Sequence, residues 1–387
     1  MVAMLRESIR WIFSGDSVEG HLSIIMPTPI VALEEIAGFL ADFGITVHDG
    51  RDFPAMLALY ERMGLVRPDI LAKLRPPHAE LADNWRKLHE GDASLACTLV
   101  ARGLDGVPQG AITAVRAWDE AWLIQHFGVM PEAEPGTAVA LQIASSSLLL
   151  TRADLRHACC FVGIDNARVQ AWFDQFFRLG DAFEVASRID LVRWARLPGG
   201  NSKTIAAPAG LEILAIEPGA PSWGAFTRCL GPIASDALSM QFNTTSRAFA
   251  CRGLERERNV LLLFDRGHQK AFLIEERASP GVNLSGMLDT WWLFSLDESR
   301  PLDESIVELA ANAISTRCPD ERAGILLIPG SAPPPLRAPG FTRIAGARLY
   351  AFNRTGVRRF RDELALRYGD VRAAMERRRA RDARGHQ

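Results

Sequence analysis

Residues 122–150 read WLIQHFGVMPEAEPGTAVALQIASSSLLL. The apolar run Trp122–Val129 has the look of a strand, Pro131 breaks it, and an amphipathic helical pattern runs from Thr137 to about Leu150. Between strand and helix stands a single glycine, Gly136. Either it only turns the chain, or it opens the main chain at a helix start to an anion, where unpaired N–H groups and the helix dipole favour negative charge.

Outward from this stretch the pattern stays regular. Upstream, SLACTLVARG and GAITAVRAWD alternate as strands, with Gly106 and Pro108 supplying the turn between them. With AWLIQHFGV they predict three antiparallel strands. Further upstream lie the strand ITVHDG (Ile45 to Gly50), a helix FPAMLALYERMG capped by Asp52, and a second helical segment from about Pro68 to Leu88. Downstream come the strand HACCFVGI, a helix from about Asn166 through WFDQFFRL, and a closing strand FEVASRIDLVRWARL.

Residues 198–210, PGGNSKTIAAPAG, read as a linker. After them a similar order returns: LEILAIEP, helical segments, NVLLLFDRG, QKAFLIEERA, LDTWWLFSL, the helix SIVELAANAISTRC, AGILLIPG and ARLYAF. The expected organisation is an N-terminal appendage (1–40), a first unit (41–197), the linker (198–210), a second unit (211–355) and a charged C-terminal helix and tail (356–387). The fold class is α+β, mixed α/β.

Composition bounds the function. With 44 basic against 46 acidic residues in 387, the net charge of −2 gives no overall pull toward nucleic acid or an anionic membrane. The Arg-rich tail ERRRARDARGHQ reads as a solvated helix end. No apolar run is long enough for a signal peptide or a membrane span, so a cytoplasmic protein is expected. The 6 cysteines show no CxxC spacing and the 8 histidines no HExxH, so no metal site is expected. A Rossmann nucleotide fold is excluded by the lack of GxGxxG after a first strand.

The element order of residues 45–197 resembles the GNAT superfamily, the acyl-CoA-dependent N-acetyltransferase fold. The resemblance implies two GNAT-like domains in tandem, each a central, mostly antiparallel mixed sheet flanked by helices. In that family the pre-loop strand splays from its neighbour and its backbone binds the pantetheine arm, here Phe127 to Val129. The family's loop, Arg/Gln-x-x-Gly-x-Gly/Ala, corresponds to Ala133-Glu134-Pro135-Gly136-Thr137-Ala138, so Gly136, Thr137 and Ala138 are the expected pyrophosphate contacts. Asn166 is the further cofactor candidate, with a helix N-cap, a role for which Asp165 competes, as its other reading. The co-substrate implied is acetyl-CoA or another acyl-CoA, and no metal.

Several positions depart from the family pattern. Ala133 replaces a basic or amide residue, and Glu132 and Glu134 flank the loop. A carboxylate about 6 Å from a phosphate, at an effective dielectric near 40, costs about 1.4 kcal/mol, roughly tenfold in affinity. Phe173 stands where many members carry a tyrosine acid, seven residues after Asn166. The second unit carries the acidic loop SLDESRPLDES instead of a glycine turn.

Amine acylation needs a base for the attacking ammonium. Alternation places Leu123, Gln125, Phe127 and Val129 on one face and Trp122, Ile124, His126 and Gly128 on the other. Gln125 is in phase with the family's base position but takes no proton near neutral pH. His126 is out of phase, with a structural histidine as its other reading. These two are the candidate catalytic residues; Asp119 and Glu120, at the preceding hairpin tip, could act through a water. The expected function is transfer of an acetyl or longer acyl group from CoA to an amine or other nucleophile in a ternary complex. The alternative is a non-catalytic acyl-CoA sensor or interaction scaffold. The partners are the acyl-CoA and an unidentified acceptor, with no nucleic acid and no membrane span, and a homodimer is one option for assembly.

Overall fold

A computed structural model describes residues 40–41, 44–66, 78–90, 94–103, 105–196, 211–216, 223–238, 242–296, 302–318, 324–330, 336–338, 340–366 and 369. The expected appendage up to residue 39, the linker 198–210, Asp297 and Glu298, and the Arg-rich tail lie outside them.

The first half runs β1 (Ile45–His48), α1 (Phe53–Arg62), α2 (His78–His89), β2 (Ala96–Arg102), β3 (Pro108–Trp118), β4 (Ala121–Val129), α3 (Thr137–Leu150), β5 (His157–Gly163), α4 (Ala167–Phe176) and β6 (Ala186–Arg196). Asp52 caps α1 as expected, accepting from the Ala55 amide at 3.1 Å. The second half runs β7 (Leu211–Ile216), α5 (Trp223–Ala237), α6 (Asn243–Ala250), β8 (Arg256–Asp265), β9 (His268–Ala278), β10 (Thr290–Ser295), α7 (Glu304–Arg317), β11 (Gly324–Pro329) and β12 (Phe341–Asn353). A helix over residues 354–366, here α8, follows. This is the mixed α/β architecture the sequence predicts, and the helix after the decisive loop spans Thr137–Leu150, but it is not amphipathic as expected: from Ala140 to Ser146 every residue is buried, so it is covered on all sides.

What element order alone does not convey is the pairing. The twelve strands of the described residues form one sheet in the order β1-β2-β3-β4-β5-β12-β6-β11-β10-β9-β8-β7. Exchanging each strand for its counterpart six places on reproduces the order from the other end, so the sheet has an internal two-fold pattern. The halves interlock: β12 lies between β5 and β6, antiparallel to both, and β6 pairs in turn with β11.

Alternate residues cover the two faces. Leu123, Cys159, Leu191, Leu349 and Trp292 share one core with α2, α5 and α6, and α1 packs on the same side over Val100 and Ala111. On the other side α3 packs over Leu99 and Ile112, α4 and α8 over Trp122, Cys160 and Tyr350, and α7 over Trp194 and Leu326. We call these the α1 face and the α3 face.

A buried polar cluster joins the halves on the α1 face. Glu276 of β9 accepts from Arg256 Nη2 at 2.6 Å, Arg258 Nη2 at 2.5 Å and Trp118 Nε1 of the first half at 3.0 Å. Arg256 also donates to the Ala117 carbonyl, and the Phe242 ring lies 4.8 Å from each guanidinium carbon.

Candidate functional site

The β4 and β5 strands run parallel and pair from Ala121/His157 to Ile124/Cys160, then stop. Beyond that register β4 continues through Gln125–Val129 and β5 through Phe161–Gly163 with no ladder between them. Their facing edges hold backbone N–H and C=O groups that a ligand can satisfy. A cavity of about 370 Å³ occupies the gap and passes through the sheet. On the α3 face it is bordered by Gln142 and Ser146 of α3, Phe173 of α4, and Phe360 of α8; on the α1 face by Cys159, Phe161, Arg193, Asn283 and Met287.

The alternation expected for β4 fails at one point. His126 has φ +51°, and the β3–β4 register slips between Ala111/Gly128 and Thr113/Gln125. This β-bulge sets two residues against one and reverses the phase beyond it. Gln125 and His126 therefore both point to the α1 face, while Phe127 and Val129 pack against the α3 side.

Both candidates hold the same segment of the second half, the loop after β9. Gln125 Nε2 donates to the Val282 carbonyl at 2.9 Å, and Asn283 Nδ2 donates to Gln125 Oε1. The Leu284 amide donates to His126 Nε2 at 3.1 Å. An Nε2 that accepts leaves the proton of neutral imidazole on Nδ1, which is buried and has no hydrogen-bond partner among the described residues. Burial, with His89 adding to it, pushes the His126 pKa down to about 3. The ring is thus neutral and offers a donor.

Beneath it, a buried chain has a fixed direction. His89 Nδ1 lies 2.9 Å from the Trp85 carbonyl, to which it must donate, so Nε2 accepts from Thr98 at 2.8 Å. Thr113 then donates to Thr98 and Tyr60 to Thr113. The Tyr60 ring centroid stands 5.0 Å from that of His126 and holds it in place.

At the loop, Gly136 caps α3 with φ 94° and ψ −15°, a left-handed conformation suited to glycine, and no side chain caps the helix. The Thr137 amide and hydroxyl are both committed to the Glu134 carbonyl, at 3.1 and 2.7 Å. Among the described residues that leaves the amides of Gly136, Ala138 and Val139 at the open helix end, and no acidic residue lies in its first turn. Glu132 is exposed and paired with Arg62 at 3.2 Å; Glu134 is exposed. The corresponding helix of the second half, α7, has Asp303 at its N-cap and Glu304 in its first turn, where an anion would have to sit.

Asn166 is the N-cap of α4, accepting from the Val169 amide at 3.2 Å, and also borders the cavity. Phe127 packs on Trp172. Phe173 is stacked between Tyr350 (4.3 Å) and Phe360 (5.0 Å). The hairpin-tip acids are engaged elsewhere: Asp119 accepts from the Thr244 and Thr245 amides at the start of α6, and Glu120 pairs with Arg156. Burial pushes both cavity thiols, Cys159 and Cys160, far up, so neither is a thiolate.

Sequence reasoning missed Gln142, Ser146, Arg193, Asp165 and the loop carrying Asn283 and Met287. Gln142, Ser145 and Ser146 did leave a signal: they sit at helical i, i+3, i+4 spacing in an otherwise apolar helix. Among the described residues no cluster of His, Cys, Asp or Glu is arranged to hold a metal, and no helix is long and apolar enough to cross a membrane.

No family model and no curated protein matches this sequence. Among solved structures the chain is similar to a GCN5-related N-acetyltransferase from Sphaerobacter thermophilus, with TM-score 0.46 and 11% identity over 80% of this chain and 96% of that one. It is similar to a tandem GNAT protein from the clavulanic acid biosynthesis pathway, with TM-score 0.38 and 12% identity over 80% and 98%. A spermidine N-acetyltransferase from Vibrio cholerae, solved with CoA and spermine, covers 34% of this chain with TM-score 0.27 and 12% identity, over 79% of its own length.

Proposed function

We propose that the chain is an acyl-CoA-dependent N-acyltransferase whose first half, residues 41–197, holds the cofactor and whose second half, 211–355, closes the acceptor side. The observation that carries this reading is the divergence of β4 from β5 after Ile124 and Cys160, with a cavity through the gap. An extended amide-bearing arm fits such a gap because it replaces the missing ladder bonds. The Gly136 turn at the open end of α3 suits the pyrophosphate, with the amides of Gly136 and Ala138 as donors and Phe127 and Val129 along the arm.

In the reaction the amine nitrogen attacks the thioester carbonyl, the C–S bond breaks, and the products are an amide and CoA thiol. The ammonium proton leaves to solvent at the cavity mouth, and a proton returns to sulfur. Gln125 and His126 contribute by fixing the loop with Asn283 and Met287 against the reacting centre, so that rate comes chiefly from approximation. The sensor reading is favoured by one feature, the phenyl ring of Phe173 where an acid would serve. Thermal shift with CoA, acetyl-CoA and longer acyl-CoAs tests binding, since ligand at 100 times its Kd adds about 2.7 kcal/mol. Thiol release across an amine panel tests turnover. Binding without turnover leaves a sensor; no shift at millimolar CoA removes both readings.

A further inference from the structure

Arg193 was outside every expectation, yet it borders the cavity on the α1 face. It lies on β6, which the interlocked sheet sets two strands from β5, across β12, or roughly 10 Å away. The Gly136 turn belongs to the opposite face, with α3. Arg193 is therefore placed for the acceptor and away from the pyrophosphate turn.

Its surroundings leave it half free. Nε donates to the Ala345 carbonyl at 2.5 Å, which fixes the plane of the guanidinium, and no ion pair to Arg193 occurs among the described residues. The remaining Nη1 and Nη2 form an end-on fork of the kind that grips a carboxylate through two parallel bonds. Burial lowers the pKa of the group, and the Asp165 carboxylate opposes that shift. Asp165 also borders the cavity, and its Oδ1 lies over Gly163 where a Cβ would collide with it, on the same face as Cys159 and Phe161. One cation and one anion on the acceptor wall match a ligand that is itself zwitterionic. A dianionic phosphate would meet a single guanidinium and the repulsion of Asp165.

We propose that the acceptor is a carboxylate-bearing amine of the amino-acid class, with Arg193 anchoring its carboxylate on the α1 face of the cavity. This rests on the acyltransferase reading and extends it to substrate class. The anchor selects acceptors by charge, while the apolar wall of Phe161 and Met287 leaves room for a side chain.

The test compares each of the twenty amino acids with its own primary amide, in thiol-release assays with wild type, Arg193→Met and Arg193→Lys. The expected result is at least one amino acid preferred over its amide by roughly 10- to 100-fold in kcat/KM, the range of a bidentate charge-assisted pair. In Arg193→Met the KM for that amino acid rises by the same factor, while KM for the amide and the CoA-induced thermal shift stay unchanged. Arg193→Lys, which keeps the charge without the fork, recovers part of the preference. Equal kcat/KM for acids and amides overturns the proposal, as does an equal loss toward both in Arg193→Met. A phosphoamine such as phosphoethanolamine outperforming every amino acid also overturns it. A CoA shift without any charge preference leaves the transferase standing and removes only Arg193; absence of the CoA shift removes both.

Discussion

Glu276→Gln tests whether the buried cluster is the joint that holds the two halves together. Burial alone would push the Glu276 carboxyl up, but Arg258, Arg256 and the hydrogen bonds from Arg256 and Trp118 outweigh it and bring it down to about 2. Against the ordinary value of 4.5 that depression is worth on the order of 3 kcal/mol. Removing one partner of a buried pair independently suggests about 3–5 kcal/mol, because the guanidiniums stay buried after losing the carboxylate they share. At about 2.1 cal/mol/K per residue, 387 residues give an unfolding entropy near 0.8 kcal/mol/K, so Tm should fall by about 4–6 °C at pH 7.

The pH dependence has a definite sign. A carboxyl whose folded pKa is depressed contributes stability that is fully present above its unfolded value, about 4.5, and is lost as pH falls toward about 2. The Tm gap between wild type and Glu276→Gln should therefore be constant from pH 7 to about 5 and close progressively below about 4.5. Calorimetry at a series of pH values measures it. A gap under about 1 °C at pH 7, or one that widens on acidification, would refute the reasoning.

Gly136→Glu, which adds bulk and charge at a position with φ 94°, should leave a folded protein, destabilised by about 1–2 kcal/mol, that no longer shifts with CoA. Retention of the full shift would make the glycine a plain turn. Gln125→Leu removes the bonds to Val282 and Asn283, so amide exchange in residues 282–288 should accelerate and acceptor KM rise with little change in the CoA shift; unchanged exchange would separate β4 from that loop. Phe173→Tyr places a hydroxyl on a ring that borders the cavity. It should keep the CoA shift and raise thiol release on an amine acceptor, and a lost shift would show that the aromatic stack tolerates no polar atom.

The sequence was legible where local pattern suffices. The run WLIQHFGV, the proline and the lone glycine give strand, turn and helix, and α3 begins and ends at Thr137 and Leu150 as the pattern predicts. The failures share a cause: they depend on what lies beside a segment. Period-2 alternation assumes an unbroken ladder, and nothing in QHFG announces that His126 adopts φ +51° and swings to the side of Gln125. Likewise ASRIDLVRWAR records which residues are buried and says nothing about the neighbouring strand. Had β6 stayed beside β5, Arg193 would sit one strand nearer the split and β12 would lie elsewhere; with β12 interposed, Arg193 meets the cavity together with Ala347 of the second half. The proposed acceptor wall thus draws on both halves of the chain by strand exchange, while the elements proposed for the cofactor all come from residues 121–166. A loss of interlocking should for that reason impair acceptor use before it impairs CoA binding. The variant at Glu276, assayed for both below its unfolding transition, separates the two.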